Sequence, residues 1–197
     1  SINKVKLIEM DILEVSLLEE QFDIIECSGV LHHIDDPSKG LKSLLGILKD
    51  NGFLKLGLYS ELARKDIVQA REYIDTKNLQ QNEDNIRKFR QKIISGELSE
   101  LKSLKTISDF YSLSQCRDLC FHTKEYRFTI NQLQEILHSN QLKFLGFLLP
   151  QGIKSLYKNY FPEDKTQTNL QNWKRFEKNN PNTFRRMYQF WVSKISI

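Results

Sequence analysis

Two adjacent histidines, His32 and His33, follow a short apolar run and precede Asp35, Asp36 and Pro37. Imidazole ordinarily changes charge near working pH, so either ring suits proton removal from a hydroxyl or an amine. One of two adjacent histidines commonly caps or packs, which makes them candidates for a single catalytic role. Tyr59, Ser60 and Arg64 form a second group. The Arg64 guanidinium offers two parallel donors to an acceptor's carboxylate, although surface capping explains these residues equally well. Asp118, His122 and Glu125 mix acids with an imidazole in a third group, where His122 could simply cap a turn. Cys116, Cys120 and His122 invite a zinc reading, but closed structural sites normally need four ligands and no fourth is evident. No metal is expected. The chain's eight glycines include no two separated by a single residue, so the G-x-G of a nucleotide-binding loop is absent.

The elements that must position these groups fit within 197 residues, enough for one domain or slightly more. Phe22 to Gly29 reads as a strand that delivers the histidines at its carboxyl end, and Phe53 to Tyr59 as another that delivers Tyr59 and Ser60. Between them, Asp36 can cap a helix with Pro37 at its first position and Leu41, Leu44, Leu45 and Leu48 on one face. Asn51 and Gly52 are expected to end that helix. Lys6 to Met10 reads as an earlier strand, with space for a short helix from Ile12 to Gln21. This alternation favours a parallel sheet with covering helices. Residues 63–128 break the rhythm with two helical stripes, Ala63, Ile67, Ala70 and Ile74, then Ile86, Phe89, Ile93 and Ile94. Thr129 can cap a helix through Ile130, Leu133, Ile136 and Leu137, followed by a strand from Leu142 to Leu149. Leu170, Trp173 and Phe176 suit a further helix, while Met187 to Ile195 reads either as a helix using Phe184, Tyr188, Trp191 and Ile195 or as a final strand, which its aromatic and β-branched content favours.

Charge separates the two ends of the chain. Residues 1–62 hold 6 Lys/Arg against 11 Asp/Glu, and residues 63–197 hold 23 against 14. A basic nucleic-acid-binding domain would show salt-dependent retention, but these cations are scattered among acids and no binding motif accompanies them, so nucleic acid is not expected. No apolar run approaches the ~20 residues needed to span a bilayer, so no membrane partner is expected. Three cysteines make a poor disulfide framework, and a cytoplasmic location is the economical expectation.

The segment from Phe22 to Ser60, FDIIECSGVLHHIDDPSKGLKSLLGILKDNGFLKLGLYS, resembles the second half of a class I S-adenosylmethionine-dependent methyltransferase. Phe22, Asp23, Ile25, Val30, Leu31, His32, His33, Asp36, Pro37, Asn51 and Gly52 stand at that family's positions. The resemblance extends through Leu58 to Arg64, His122 to Leu137 and Asn180 to Trp191, which look like the tail of methyltransferases sometimes joined to tetratricopeptide repeats.

It implies an α/β fold: an incomplete Rossmann-like methyltransferase sheet, third strand onward, with a helical insertion and a C-terminal helix plus strand. The expected organisation is a partial core over 1–62, a helical insertion or lid over 63–128, and the C-terminal part of the core over 129–197. By resemblance S-adenosylmethionine is the cofactor; Asp11 and Ile12 would meet its adenine, and Cys27 and Ser28 would face its amino group. His32 or His33 would be catalytic, with Tyr59, Ser60, Arg64, Asp118 and His122 toward an unidentified methyl acceptor. A turn or helix cap explains Asp11 equally well. Without the family's glycine-rich loop, the chain alone is expected to bind cofactor weakly or not at all. The alternative expectation is a non-catalytic or split-enzyme module, pairing through an exposed strand edge with itself or with a missing N-terminal portion.

Overall fold

Four strands form one sheet in the computed structural model, which describes residues 5–121 and 125–195. They are β1 (Phe22–Ser28), β2 (Leu48–Leu58), β3 (Leu142–Phe147) and β4 (Tyr188–Lys194), in the order β1-β2-β4-β3. The helices are α1 (Pro37–Ile47), α2 (Lys65–Thr76), α3 (Glu83–Ser95), the short α4 (Leu113–Cys116), α5 (Ile130–Ser139), α6 (Gln151–Tyr160) and α7 (Leu170–Asn179).

β1 and β2 are parallel, as their alternation with α1 predicts, and β4 runs antiparallel to both its neighbours. The alternation of Tyr188, Phe190 and Val192 buries one face whichever way the strand runs, so direction was not encoded in that pattern. Residues 5–10 are not in a strand, and the next segment forms a 3₁₀ turn, Ile12–Leu18, that buries no residue. Val5, Leu7 and Ile8 remain exposed, so this apolar run lacks the neighbour that would make it a strand.

Around α1 the sequence pattern holds. The Asp36 carboxylate accepts from the Ser38 and Lys39 amides, Pro37 starts the helix, and Leu41, Leu44 and Leu48 are buried. Asn51 and Gly52, however, lie within β2 rather than at a helix end. Between the pairs Phe22–Leu48 and Ile24–Phe53 the register shifts, with the extra residues on β2. A Cβ at Gly52 would lie 2.7 Å from Leu48 Cδ1 and 3.0 Å from the Asp23 carbonyl, so close approach rather than a turn explains this glycine.

One apolar cluster joins β1, β2, β3 and β4 to α1, α5, α6 and α7. At its centre Trp173 stacks on Tyr157 at 3.8 Å and meets Phe147 edge-on at 5.3 Å. A second cluster belongs wholly to residues 67–121, where Ile67, Ala70 and Ile74 of α2 meet Ile86, Phe89 and Ile93 of α3. The helical insertion thus has its own core. Ile94, expected on that stripe, is exposed. The two clusters meet across polar crossings rather than through a shared apolar layer.

Candidate functional site

The carboxyl ends of β1 and β2 converge on a layered set of rings. Gly29 leaves β1 at φ +79°, with its amide bonded to the Gly57 carbonyl, and the chain turns into the short 3₁₀ segment Leu31–His33. There His32 is fully buried, stacked on Tyr59 at 3.7 Å and edge-on to His33 at 4.4 Å. The Arg64 guanidinium lies 3.7 Å over the other side of the Tyr59 system. Its Nε and Nη2 donate to Glu125, at 2.9 and 2.5 Å, and Arg71 Nη2 donates to the same carboxylate at 2.9 Å.

Burial, then the neighbouring charges of His33 and Arg64, lowers the His32 pKa to about 3. Neither ring nitrogen has a hydrogen-bond partner of good geometry; a weak approach to the Gly57 backbone is the one opposing influence. His32 therefore stays neutral where proteins work. Burial also raises the Tyr59 phenol, an effect that Arg64 opposes and Glu125 reinforces.

His33 and Tyr59 form one wall of a cavity of about 390 Å³ whose other lining residues are Asp109, Gln115, Asp118 and Leu119. A neighbouring cavity of about 560 Å³ shares Tyr59, Asp109 and Leu119, and extends to Arg64, Arg185 and Arg186. The first therefore has two carboxylates in its lining, and the second has guanidinium groups beside Asp66 and Asp109.

The expected site residues divide. His33, Tyr59 and Asp118 come together on one cavity, and Asp118 pairs with Arg117 at 3.4 Å. Arg64 touches the same assembly, with its donors committed to Glu125. Ser60 is fully buried, and its hydroxyl donates to Glu177 at 2.5 Å, while Tyr188 donates to both oxygens of that carboxylate at 2.8 Å. Cys27 is buried with its thiol pKa raised by desolvation, and the Ser28 hydroxyl is buried without a partner. The Asp11 carboxylate accepts from the Leu13 amide at the start of the 3₁₀ turn, and Ile12 packs against the main cluster. His122 lies outside the described residues. Cys116 and Cys120 are buried free thiols that hydrogen-bond to each other, and no group of three or more metal-ligating side chains occurs among the described residues.

Asp109, Gln115 and Leu119 were not legible as site residues. They sit on short turns in a segment without long periodicity, and only the folding of α2 and α3 brings that segment over Tyr59. No helix among the described residues is long and apolar enough to cross a membrane.

Residues 1–56 match a family model described as a methyltransferase domain. An uncharacterized protein of Synechococcus sp. is 29% identical over 150 residues, which are 71% of this chain and 35% of that protein. The structure of PKMT2 from Rickettsia typhi matches with a TM-score of 0.68 at 17% identity, over 95% of this chain and 38% of that one. The same protein in complex with AdoHcy matches at 0.67 and 18% identity, over 95% and 39%. The chain thus spans little more than a third of the length of these relatives. Residues 1–56 are thus similar in sequence to a methyltransferase domain, and over 95% of its length the chain shares the fold of PKMT2.

Proposed function

We propose that the chain serves S-adenosylmethionine-dependent methyl transfer, with the acceptor held in the cavity between His33, Tyr59 and Asp118. The observation that carries this reading is the cavity's position. It opens beside the carboxyl ends of two parallel strands, where ligands of open α/β sheets bind, in a chain with a methyltransferase fold.

The residues at the β1 end suit the cofactor. The Ser28 hydroxyl is buried and unbonded, able to pair with a polar group placed there, and the Gly29 turn has no side chain within 4 Å of a hypothetical Cβ. Cys27 and Ser28 would hold the cofactor's amino-group side. When bound, the cofactor supplies a methyl group already activated by its sulfonium. The work left to the protein is alignment, exclusion of water and, for a protonated acceptor, proton removal. His33 takes the last role because it stands at the cavity wall, whereas His32 is enclosed and held neutral as a packing surface for Tyr59. Tyr59 and Asp118 orient the acceptor. Arg64 supports Tyr59, and Ser60 ties the end of β2 to α7 through Glu177. The Asp11 carboxylate would have to leave the Leu13 amide to meet an adenine, so it contributes least.

Titration with AdoHcy, followed by amide NMR, tests this reading. Expected are perturbations confined to residues 27–33 and 57–60, with binding weaker than about 1 μM. Perturbations elsewhere, or none at millimolar ligand, would remove the assignment. Tighter stoichiometric binding would overturn the expected weakness of the chain alone. Buried free thiols suit a reducing compartment such as the cytoplasm.

A second reading is favoured by β1, whose outer edge is unpaired among the described residues. The register partners Ile24 and Phe53 are 62% and 45% exposed on one face beside it. An open edge with an apolar flank templates pairing with another strand, from a second copy or from a further portion of a longer polypeptide. Light scattering tests the self-associating form: a monomer at all concentrations argues against it.

A further inference from the structure

The main sheet and the helical insertion are joined by two chain crossings, residues 59–64 and 125–128. Backbone bonds pin them together: the Phe128 amide donates to the Tyr59 carbonyl at 2.8 Å and the Glu61 amide to the Phe128 carbonyl at 3.0 Å. The second crossing also reaches the histidine segment. The Tyr126 amide donates to the His32 carbonyl at 2.8 Å, and its hydroxyl to the Asp35 carbonyl at 2.9 Å.

Glu125 occupies the junction. Its side chain is 1% exposed, and both oxygens are taken by arginines, Arg64 from the first crossing and Arg71 from α2. Arg71 Nη2 also donates to the Leu119 carbonyl at 2.9 Å. Stability alone is a poor explanation for such a triad, since apolar residues of similar volume often replace buried ion pairs without loss. Geometry is a better one. Two parallel donors on one carboxylate fix the plane of the Arg64 guanidinium, which a flexible ammonium would not do. That plane lies over Tyr59, and Tyr59 is thereby clamped between Arg64 and His32. On its other side, Glu125 holds Arg71 and, through it, the Leu119 carbonyl.

We infer that Glu125 is a positioning residue for the acceptor site: through Arg64 it sets the Tyr59 and His33 wall, and through Arg71 it sets the wall at Leu119, whose carbonyl Arg71 holds. Both walls line the 390 Å³ cavity. Glu125 is not among that cavity's lining residues and acts only through its arginines. The inference rests on reading that cavity as the acceptor site, but the clamp itself can be measured without cofactor or acceptor.

The test is NMR of the histidine rings and ultraviolet titration of the tyrosines, with Y59F identifying the Tyr59 contribution. In the unaltered chain the His32 ring protons should show the ring-current shift of a Tyr59 stack. E125Q should lose that shift and move the Tyr59 titration to lower pH, because the Glu125 charge that raises the phenol is removed. R64K keeps the charge and loses the fork, and it should lose the same ring-current shift. R64M/R71M/E125L replaces the triad with apolar volume; it should fold and still lose the shift. Retention of the His32 shift in any folded member of this set would overturn the inference. Loss of AdoHcy perturbations with the clamp signals intact would instead count against the methyl-transfer reading.

Discussion

The sheet core and the helical insertion solve the same burial problem differently. In the first, strands distant in sequence meet: β2 lies between β1 and β4, and Trp173, Tyr157, Phe147 and Phe184 pack on one another across separations of 16 to 37 positions. In the second, consecutive helices and turns from 67 to 121 close on one another. The two cores are apolar, and the seam between them is polar. Arg64, Glu125 and Arg71 stand there, with Ser60, Glu177 and Tyr188 alongside and an Arg185 bond to the Ser103 carbonyl at 2.8 Å. The cavities open along this seam. A junction built from hydrogen bonds fixes geometry at a few points and leaves space between them, which an apolar interface would fill.

The largest effects should test whether the two cores are separable. Trp173→Ala removes the centre of the aromatic cluster and should cost about 3–5 kcal/mol, read by denaturant unfolding. Phe89→Ala, at the centre of the insertion, belongs to the same class of substitution, again about 3–5 kcal/mol locally. Native-state hydrogen exchange should then show lost protection over 65–121 with β2 and β4 still protected. Equal loss in both regions would mean that the cores unfold as one unit.

The seam should respond to pH. His32 is held neutral in the folded state, with a pKa near 3 against 6.5 for the free side chain. The unfolded chain binds the extra proton between these values, so the His32 contribution to stability is complete above pH 6.5 and is lost as pH falls toward 3. Thermal unfolding of His32→Phe should therefore fall less steeply over that window than that of the unaltered chain. Glu177 has the opposite sign. Burial raises its pKa, an effect opposed by the Ser60 and Tyr188 hydroxyls, so folding favours its protonated form and stability declines as pH rises past the ordinary carboxylate range. Glu177→Gln should compare best with the unaltered chain at neutral pH, and lose that relative advantage in acid.

The smallest expected changes lie away from the seam. Asp36→Ala removes the cap of α1, and Asn82→Ala that of α3, where the Asn82 side chain accepts from the Asn85 amide. Each should cost about 1 kcal/mol by chemical denaturation. A larger loss for Asp36 would link that cap to the neighbouring histidine segment.

Local features were readable in the sequence where short-range chemistry decides the outcome. Asp36-Pro37 at the start of α1, Thr129 at the start of α5 and the stripes of α2 and α3 all depend on residues within one or two turns. The choice of strand for Met187 to Ile195 also agrees with β4. Lys6 to Met10 misled because an apolar run becomes a strand only beside another strand. Helix α6 is not legible in the sequence because Gln151–Tyr160 buries only Tyr157 and carries Gly152, leaving a weak apolar period. For the site, the His32 and His33 pair and Tyr59 stood out by type and by position after strands. Glu125 had no partner readable in its own segment, since Arg64 and Arg71 lie 61 and 54 positions away.

Residue order by itself determined the capped and periodic helices α1, α2, α3 and α5, and that the histidines and Tyr59 emerge at strand ends. Tertiary structure alone decided that β4 runs antiparallel between β2 and β3, that His32 is sealed while His33 faces a cavity, and that Arg64 serves Glu125. The reason is physical. Caps and periodicity act over one or two helical turns, whereas solvent exposure and the pairing of Arg64 with Glu125, 61 residues apart, exist only after the chain has closed on itself.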